Sequence, residues 1–140
     1  MFYVDTSAMV SALTSELATS KVQHWLVTQQ AGSLAVSDWT VAEFSAALSV
    51  KLRMGHVDQA ERELVLSAFR KNVAESCVLL PISSDHFRSA ARLADQHPLG
   101  LRAGEALHLA ISVENAAVLC TLDKRLSEAG QAIGAETLLL

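Results

Sequence analysis

The chain is poor in cysteine, with two residues in 140, and it has neither a CxxC motif nor a metal-type grouping of cysteine and histidine. This argues against a structural zinc site, and we expect Cys77 and Cys120, which lie in apolar runs, to be buried thiols of a cytosolic protein. No apolar run approaches the roughly 18 residues of a membrane helix. The first residues, MFYVDTSA, lack the basic flank and long apolar stretch of a signal peptide. We therefore expect a cytoplasmic protein with no membrane segment.

Positive charge is also scarce, since 11 lysines and arginines face 15 aspartates and glutamates, for a net charge of −4. This balance argues against a broadly basic nucleic-acid-binding protein, but it leaves room for an enzyme that meets phosphates through metal ions. Hydrophobic residues make up 51% of the chain and charged residues 19%. An apolar share this high in a small protein predicts that a partner covers part of the surface.

Short apolar runs alternate with helical patterns along the whole chain, with no linker, repeat or low-complexity segment. We expect strands at MFYV, at residues 34–36, and at CVLLPI, AAVLCTL and GAETLLL. Most of these runs are continuously apolar, which is typical of a parallel sheet covered by helices on both faces. The sequence therefore predicts one α/β domain over residues 1–140, a three-layer sandwich around a mainly parallel sheet of four to five strands.

Capping residues predict where the helices begin and end. Two helical segments are expected between residues 6 and 30, and a further helix is expected in the stretch LRAGEALHLAIS. The expected N-terminal caps are Thr14 or Ser15 for the second helix, then Asp38, Asp58, and Ser83 or Ser84. The helix after Ser83 or Ser84 ends before Pro98, and Gly55 and Gly130 are expected to end the helices that precede them.

Four acidic residues lie at strand ends or within apolar segments: Asp5, Glu43, Glu105 and Asp123. Asp5 ends the first strand and Asp123 follows the fourth. Sites in open parallel sheets form outside the carboxyl ends of the strands, so the two aspartates share one edge if those strands are neighbours. Ser7 and Thr121, each two residues from one of these aspartates, are candidate supporting hydroxyls.

Taken singly, each acid has a structural alternative. Asp5 and Asp123 could cap the helices that follow them, which is a common use of aspartate. Glu105 lies near a helix N-terminus, where the helix dipole favours a carboxylate. Glu43 is harder to explain in this way, because apolar residues surround it and no lysine or arginine lies three or four positions away.

Taken together, the four acids indicate a metal site. Carboxylates in apolar surroundings repel one another and resist desolvation unless protons or cations compensate. A set of oxygen ligands without cysteine suits Mg²⁺ or Mn²⁺ rather than Zn²⁺. Divalent ions held by carboxylates commonly serve phosphodiester hydrolysis, since they activate water and neutralise charge on the phosphate.

The segments MFYVDTSA, VAEF, LRAGEALHLA and LCTLDKRL resemble, in this order and spacing, the PIN-domain ribonucleases, in particular the VapC-type toxins of type II toxin–antitoxin pairs. The resemblance spans essentially the whole chain and implies a PIN-like sandwich that cleaves RNA endonucleolytically with Mg²⁺ or Mn²⁺. It also implies a small VapB-type antitoxin that occludes the site, and a homodimer, which the apolar surplus favours too. The catalytic and metal-binding acids it implies are Asp5, Glu43, Glu105 and Asp123, with Ser7 and Thr121 as supporting hydroxyls.

Glu105 departs from the family pattern, which usually has aspartate at this position. The carboxylate is kept on an arm one methylene longer, and Mg²⁺ demands near-ideal octahedral geometry. The alternative function is therefore a PIN-like module that binds RNA or protein with little catalysis. A phosphoryl-transfer domain of the receiver or phosphatase kind is a weaker alternative, because DTSA lacks the second aspartate of DxDxT and no lysine follows a late strand in the manner of receiver domains.

Three basic residues flank two of the acids and could hold substrate phosphates: Arg102, Lys124 and Arg125. The alternative is ordinary solvated charge. His108, three residues after Glu105, is expected to be a packed histidine within the helix layer rather than a general base, because a metal-activated water needs no side-chain base.

Overall fold

Five short strands and seven α-helices make up the computed structural model, which describes residues 1–140. The strands are β1 (Phe2–Val4), β2 (Leu34–Ser37), β3 (Cys77–Leu80), β4 (Val118–Thr121) and β5 (Thr137–Leu139). The helices are α1 (Thr6–Leu13), α2 (Thr19–Val27), α3 (Asp38–Arg53), α4 (Gln59–Ser76), α5 (Ser84–Ala94), α6 (Ala103–Glu114) and α7 (Lys124–Ala132). A 3₁₀ turn (His97–Leu99) links α5 to α6. None of the helices combines the length and the apolar character that a membrane span would need.

The strands form one sheet in the order β3-β2-β1-β4-β5, and every neighbouring pair is parallel. This confirms the predicted α/β class, with five strands in a wholly parallel sheet. β1 lies at the centre, with Val4 opposite Cys120 of β4. The chain proceeds from β1 towards one edge and then crosses to β4 on the other side. The carboxyl ends of β1 and β4 therefore flank the point where the strand order reverses, which is where open parallel sheets form their sites.

The hydrophobic core has two parts, one on each face of the sheet. Alternating residues of β1 serve the two parts, because successive side chains of a strand point to opposite faces. Tyr3 packs with residues of α5, α6 and α7, whereas Val4 packs with residues of α1 to α4. Both are fully buried. Covering the sheet on both sides explains why its strands read as continuous apolar runs.

Several helix boundaries match the predicted caps. Asp58 accepts from the backbone N–H of Glu61 at the start of α4, and Ser83 caps α5. Gly55, with φ of 72°, follows the end of α3 in the left-handed region that favours glycine. The N-cap of α3 is Ser37 rather than Asp38, because the extended backbone lies at Ser37 and helical geometry already begins at Asp38.

The predicted start of α2 is wrong. The helix begins at Thr19, after Ala18, rather than after Thr14 or Ser15. The Thr14 hydroxyl donates to the Val10 carbonyl at 2.8 Å and so serves the C-terminal end of α1. Near the start of α2, the Thr19 hydroxyl accepts from the Glu16 backbone N–H at 2.9 Å.

The predicted end of α7 is also wrong, because Gly130 lies within the helix, which continues to Ala132. A Cβ at Gly130 would lie 2.5 Å from the Thr137 side chain of β5. The glycine therefore permits the close approach of α7 to β5 rather than ending the helix. The left-handed residue after the helix is Gly134, with φ of 79°.

Both cysteines are free thiols, as expected. Cys120 is buried in β4, whereas Cys77 is only half-buried at the start of the edge strand β3. Burial raises the pKa of both thiols, that of Cys120 to about 12. Such thiols are protonated at neutral pH and are poor nucleophiles.

Candidate active site

All four predicted acids line one cavity of about 360 Å³ at the carboxyl edge of the sheet. Asp5 comes directly after β1, Asp123 follows β4, and Glu43 and Glu105 reach the cavity from α3 and α6. The two aspartates would share one edge if the first and fourth strands were neighbours, and the β1–β4 ladder shows that they are. Side chains from four separated segments thus meet at the reversal point of the strand order.

Asp5 is 3% exposed, and both of its carboxylate oxygens accept hydrogen bonds. Oδ1 accepts from the Ser7 hydroxyl at 2.7 Å and from the Ala8 backbone N–H at 3.0 Å, which makes Asp5 the N-cap of α1. Oδ2 accepts from the Thr121 hydroxyl at 2.5 Å. Asp5 therefore caps α1, as the structural alternative predicts, and it also accepts from both candidate hydroxyls.

Asp123 is tied to the same network through its backbone. Its N–H donates to the Thr121 hydroxyl at 2.9 Å, and its Oδ1 accepts from the backbone N–H groups of Arg125 and Leu126 at 2.8 and 3.1 Å. Asp123 is thus the N-cap of α7, and its Oδ2 makes no hydrogen bond. The half-buried carboxylate keeps one oxygen available at the cavity.

Glu43 is held through one oxygen by two other elements. Its Oε2 accepts from the Thr6 hydroxyl at 2.6 Å and from Nε2 of His108 at 2.7 Å. Because a carboxylate can only accept, Nε2 carries the proton. Desolvation is the largest single influence on the carboxyl and acts to raise its pKa. The bonds from His108 and Thr6 outweigh it, so the pKa of Glu43 is lowered and the group is ionised at neutral pH.

A chain of hydrogen bonds supports Glu43 from inside the protein. The other ring nitrogen of His108, Nδ1, lies 2.9 Å from the hydroxyl of Tyr3, which lies 2.7 Å from the Ser37 hydroxyl. All three supporting side chains are buried. Burial raises the pKa of Tyr3 to about 12, against the opposing effect of its hydroxyl partners, and the nearby charges of Asp5 and Glu43 raise it further. The carboxylate is therefore connected to the core of the sheet.

Glu105 is engaged in a local pair with Arg102. Its Oε1 accepts from Nε and Nη2 of Arg102 at 2.7 and 2.5 Å, and its Oε2 accepts from the Arg102 backbone N–H at 2.8 Å. The Glu105 side chain is 12% exposed and that of Arg102 is 78% exposed. The hydrogen bonds that Arg102 donates to Glu105 raise the pKa of Arg102 above its ordinary value. Glu105 thus lies at the cavity, but its hydrogen bonds go to the residue three positions before it.

The three candidate phosphate-binding residues are placed differently. Arg102 lines the cavity, whereas Lys124 and Arg125 do not. Lys124 forms an exposed pair with Glu128 at 3.6 Å, and the Arg125 guanidinium donates to the carbonyl of Gly100. The geometry therefore supports only Arg102 as a cavity cation.

The donor set of the cavity matches a hard divalent cation, since it offers carboxylate and hydroxyl oxygens and no thiolate. No three side chains among the histidines, cysteines, aspartates and glutamates lie close enough together to hold one ion in common. Glu105 departs from such an arrangement, because both of its oxygens accept from Arg102. The cavity therefore has the side-chain types that would bind the ion. Most of its carboxylate oxygens, however, accept hydrogen bonds from neighbouring groups of the protein.

Two contacts of Glu43 were not anticipated as site contacts, those with Thr6 and His108. His108 is 3% exposed, as expected of a packed histidine, but its partner is a cavity carboxylate rather than a group within the helix layer. The sequence held a signal for this contact. A histidine on an otherwise apolar, buried helix needs a polar partner, and Glu43 is likewise set in an apolar helix.

Three solved structures share this fold over nearly the whole chain. FitAcB from Neisseria gonorrhoeae is 15% identical with a TM-score of 0.73, over 99% of this chain and 96% of that one. VapC20 from Mycobacterium tuberculosis, a toxin that cleaves the sarcin–ricin loop, is 13% identical with a TM-score of 0.72, over 93% and 95%. VapBC2 from Rickettsia felis, bound to a promoter DNA fragment, is 15% identical with a TM-score of 0.68, over 99% and 98%. Identities this low show the fold, and no curated protein matches the chain.

The sequence itself decides the family. The PIN domain family model matches residues 2–132, a range that runs from the first residue of β1 to the last residue of α7. It includes every acid of the cavity and the hydroxyls that contact Asp5. Because this match covers nearly all of the chain, and because the fold agrees with it, the protein belongs to the PIN-domain family.

Proposed function

We propose that the chain is a Mg²⁺- or Mn²⁺-dependent endoribonuclease that acts as the toxin of a toxin–antitoxin pair. The observation that carries this proposal is the shared cavity, where four carboxylates from separate segments meet at the carboxyl edge of the sheet in a PIN-family chain. A cluster of this kind resists desolvation, and a divalent cation would relieve the mutual repulsion.

In this proposal the ion is held by Asp5, Glu43 and Asp123, and by Glu105 once its carboxylate turns away from Arg102. Ser7 and Thr121 fix the orientation of Asp5, as their hydrogen bonds to its two oxygens indicate. When bound, such an ion supplies Lewis acidity that activates water and offsets the charge of a phosphodiester. The protein's own part is to hold the acids in place around the ion.

We propose RNA as the substrate class, with Arg102 as a phosphate contact at the mouth of the cavity. Its guanidinium is exposed, and the nearby carboxylates of Asp123 and Glu43 help to raise its pKa. One structural neighbour is a toxin that cleaves the sarcin–ricin loop, which supports RNA as a class without naming the target of this chain. RNA in loops displays unpaired bases and so offers the accessible backbone that an open cavity needs.

The test is cleavage of bacterial total RNA by the antitoxin-free chain, with Mn²⁺ or Mg²⁺ and with EDTA. We compare wild type with Asp123→Asn, because asparagine can still cap α7 through its side-chain oxygen while losing the charge. Asp95→Asn, on the exposed end of α5, is the matched control. We expect EDTA and Asp123→Asn each to abolish cleavage and Asp95→Asn to leave it unchanged. Cleavage that persists in EDTA and in Asp123→Asn would refute the proposal.

A second candidate function, a PIN-like module that binds RNA or protein with little catalysis, has one specific observation in its favour. The carboxylate of Glu105, which stands where the family usually has aspartate, accepts three hydrogen bonds from Arg102. This candidate predicts RNA binding without metal-dependent turnover in wild type and a gain of turnover in Glu105→Asp. Full activity in wild type, with no gain in Glu105→Asp, would exclude it.

We also propose a VapB-type antitoxin and a homodimer as the assemblies of this chain. Structural neighbours include a toxin–antitoxin complex from Klebsiella pneumoniae, at 17% identity and a TM-score of 0.63, which supports an antitoxin partner. Several large apolar side chains are exposed, including Leu17, Val27 and Leu64, which a partner would cover. Light scattering should give a dimeric mass for the isolated chain and a larger assembly after co-expression with a neighbouring small open reading frame. A monomeric mass in both preparations would refute this.

A further inference from the structure

The carboxylate of Glu43 is in contact with other residues on two sides, and on one of these sides the contact is with a glycine. On one side, Thr6 and His108 hold its Oε2. On the other side, Oε1 lies against Gly104 in the first turn of α6, so close that a Cβ built on this glycine would be 2.6 Å from Oε1. The same Cβ would lie 3.3 Å from Cζ2 of Trp39.

Backbone conformation does not require the glycine at this position. The φ angle of Gly104 is not positive, so its backbone does not lie in the left-handed region that favours glycine. It occupies the second position of α6, where alanine fits the helix and is the better helix former. The glycine is therefore explained by space, and the atom that uses the space is Oε1 of Glu43.

An added Cβ would displace the carboxylate rather than the tryptophan. Trp39 packs against the core cluster around Tyr3, and its buried indole N–H lies near enough to Glu43 to help lower the pKa of that carboxyl. The Glu43 carboxylate is the free end of a flexible side chain that is 30% exposed. It can move towards solvent, and a shift of the whole carboxylate lengthens its bonds of 2.6 and 2.7 Å to Thr6 and His108.

We propose that Gly104 and His108 are positioning residues that together fix the orientation of the Glu43 carboxylate at the metal site. This inference rests on the proposed function, because it treats Glu43 as a ligand. Groups that orient a metal ligand typically change metal affinity by about 10- to 100-fold when they are altered. We expect Gly104→Ala to weaken Mn²⁺ binding by about tenfold, since the carboxylate is displaced but retained.

The first experiment titrates the antitoxin-free chain with Mn²⁺ by calorimetry and measures urea unfolding of the same samples. Ala103→Ser is the matched control, because it adds one heavy atom at an exposed position in the same helical turn. Gly104→Ala should bind Mn²⁺ about tenfold more weakly than wild type, while its unfolding midpoint changes little, because the better helix former offsets the weakened bonds of Glu43. In a Glu43→Gln background, Gly104→Ala should cause no further loss of affinity, because its effect passes through that carboxylate.

The second experiment replaces His108 by two amides of different reach. His108→Gln can place an N–H near the position of Nε2, whereas His108→Asn places one near Nδ1, on the side of Tyr3. We expect His108→Gln to keep Mn²⁺ affinity close to wild type and His108→Asn to weaken it by about tenfold. A merely structural role would lower the unfolding midpoint of both variants without separating their affinities.

The outcomes separate this inference from the proposed function. If wild type takes up no Mn²⁺, both fail. If wild type binds Mn²⁺ and loses it in Asp123→Asn, but Gly104→Ala binds as tightly as Ala103→Ser, the proposed function stands and the positioning role of Gly104 is refuted. Equal affinities of His108→Gln and His108→Asn would likewise refute the role of His108.

Discussion

The two halves of the cavity hold their carboxylates by different means. Asp5 and Asp123 follow strands directly, and each caps the helix after it through backbone N–H groups. Glu43 and Glu105 project from helices on longer side chains. One of these is fixed by contacts distant in sequence, and the other by a pair three residues apart. The strand half is built into the sheet, whereas the helix half depends on how neighbouring side chains are arranged.

This difference indicates which half of the site can vary. The β1–β4 ladder places Asp5 beside Thr121, whose hydroxyl also accepts from the Asp123 N–H, so Asp5 and Asp123 are positioned wherever the sheet forms. The position of Glu43 depends on the packing of α3 against α6, and that of Glu105 depends on Arg102. We therefore expect changes in the strand half to remove activity and changes in the helix half to tune it.

The largest contrast should appear between Asp5→Asn and Glu105→Gln. We expect Asp5→Asn to lower kcat/KM for RNA on the order of 10²- to 10³-fold, because it removes a fixed ligand worth several kcal/mol of charge stabilisation. Glu105→Gln should lower it by about tenfold, because this carboxylate is already committed to Arg102. Initial rates over a range of RNA and Mn²⁺ concentrations measure both values. Equal losses in the two variants would contradict the division between the halves.

The second prediction tests the buried support of the helix half. Tyr3 is the sole tyrosine, so absorbance at 295 nm reports its ionisation alone. The folded protein should titrate near pH 12 and the urea-unfolded chain near pH 10. Because the pKa is higher in the folded state, the contribution of Tyr3 to the free energy of unfolding is complete below pH 10. That free energy then falls by about 2–3 kcal/mol as the pH rises towards 12. Ionisation near pH 10 in the folded protein would show that the hydroxyl is not enclosed with His108.

The third prediction compares two threonines that donate to the two kinds of acid. Thr121 is fully buried and donates to Asp5, whereas Thr6 is half-buried and donates to Glu43. Thr121→Val should lower the free energy of unfolding by about 1.5–3 kcal/mol, because a buried charge loses a partner. Thr6→Val should cost about 1 kcal/mol, because solvent can replace the lost bond. Urea denaturation at pH 7 measures both, and a larger cost for Thr6→Val would reverse the comparison.

The smallest effect is expected for the local pair of Glu105. Arg102→Gln removes a positive charge from the mouth of the cavity, so Mn²⁺ affinity should rise a few-fold while KM for RNA rises a few-fold too. The unfolding midpoint should not change, since the pair is exposed on the arginine side. Arg125→Gln, outside the cavity, is the control and should change neither constant. Weaker Mn²⁺ binding in Arg102→Gln would contradict the view that Arg102 competes for Glu105.

Residues at strand ends could be predicted from the sequence, and helix-borne contacts only in part. Apolar runs followed by Asp5 and Asp123 marked the edge of the sheet, because parallel strands end at a common edge. The contact of Glu43 with His108 depends on the packing of α3 against α6, and no spacing within either helix determines it. Likewise, a metal ion and Arg102 compete for the carboxylate of Glu105, and the residue type alone does not determine which of them it binds.

The helix boundaries that were predicted wrongly have the same origin. Thr14 has the residue type of an N-cap, but its hydroxyl serves the end of the preceding helix. Gly130 has the type of a helix end, but it lies where α7 meets β5. In both cases a tertiary or neighbouring contact overrides a local preference, whereas Asp58 and Ser83, whose side-chain partners lie in the first turn of the helix that follows, cap as their types predict.

The central claim is that the cavity at the end of β1 and β4 takes up a divalent cation. Calorimetric titration of the antitoxin-free chain with Mn²⁺ tests it most directly, with Asp123→Asn and the surface control Asp95→Asn measured alongside. The account predicts saturable uptake by wild type and Asp95→Asn and none by Asp123→Asn. No uptake by wild type, or undiminished uptake by Asp123→Asn, would contradict it.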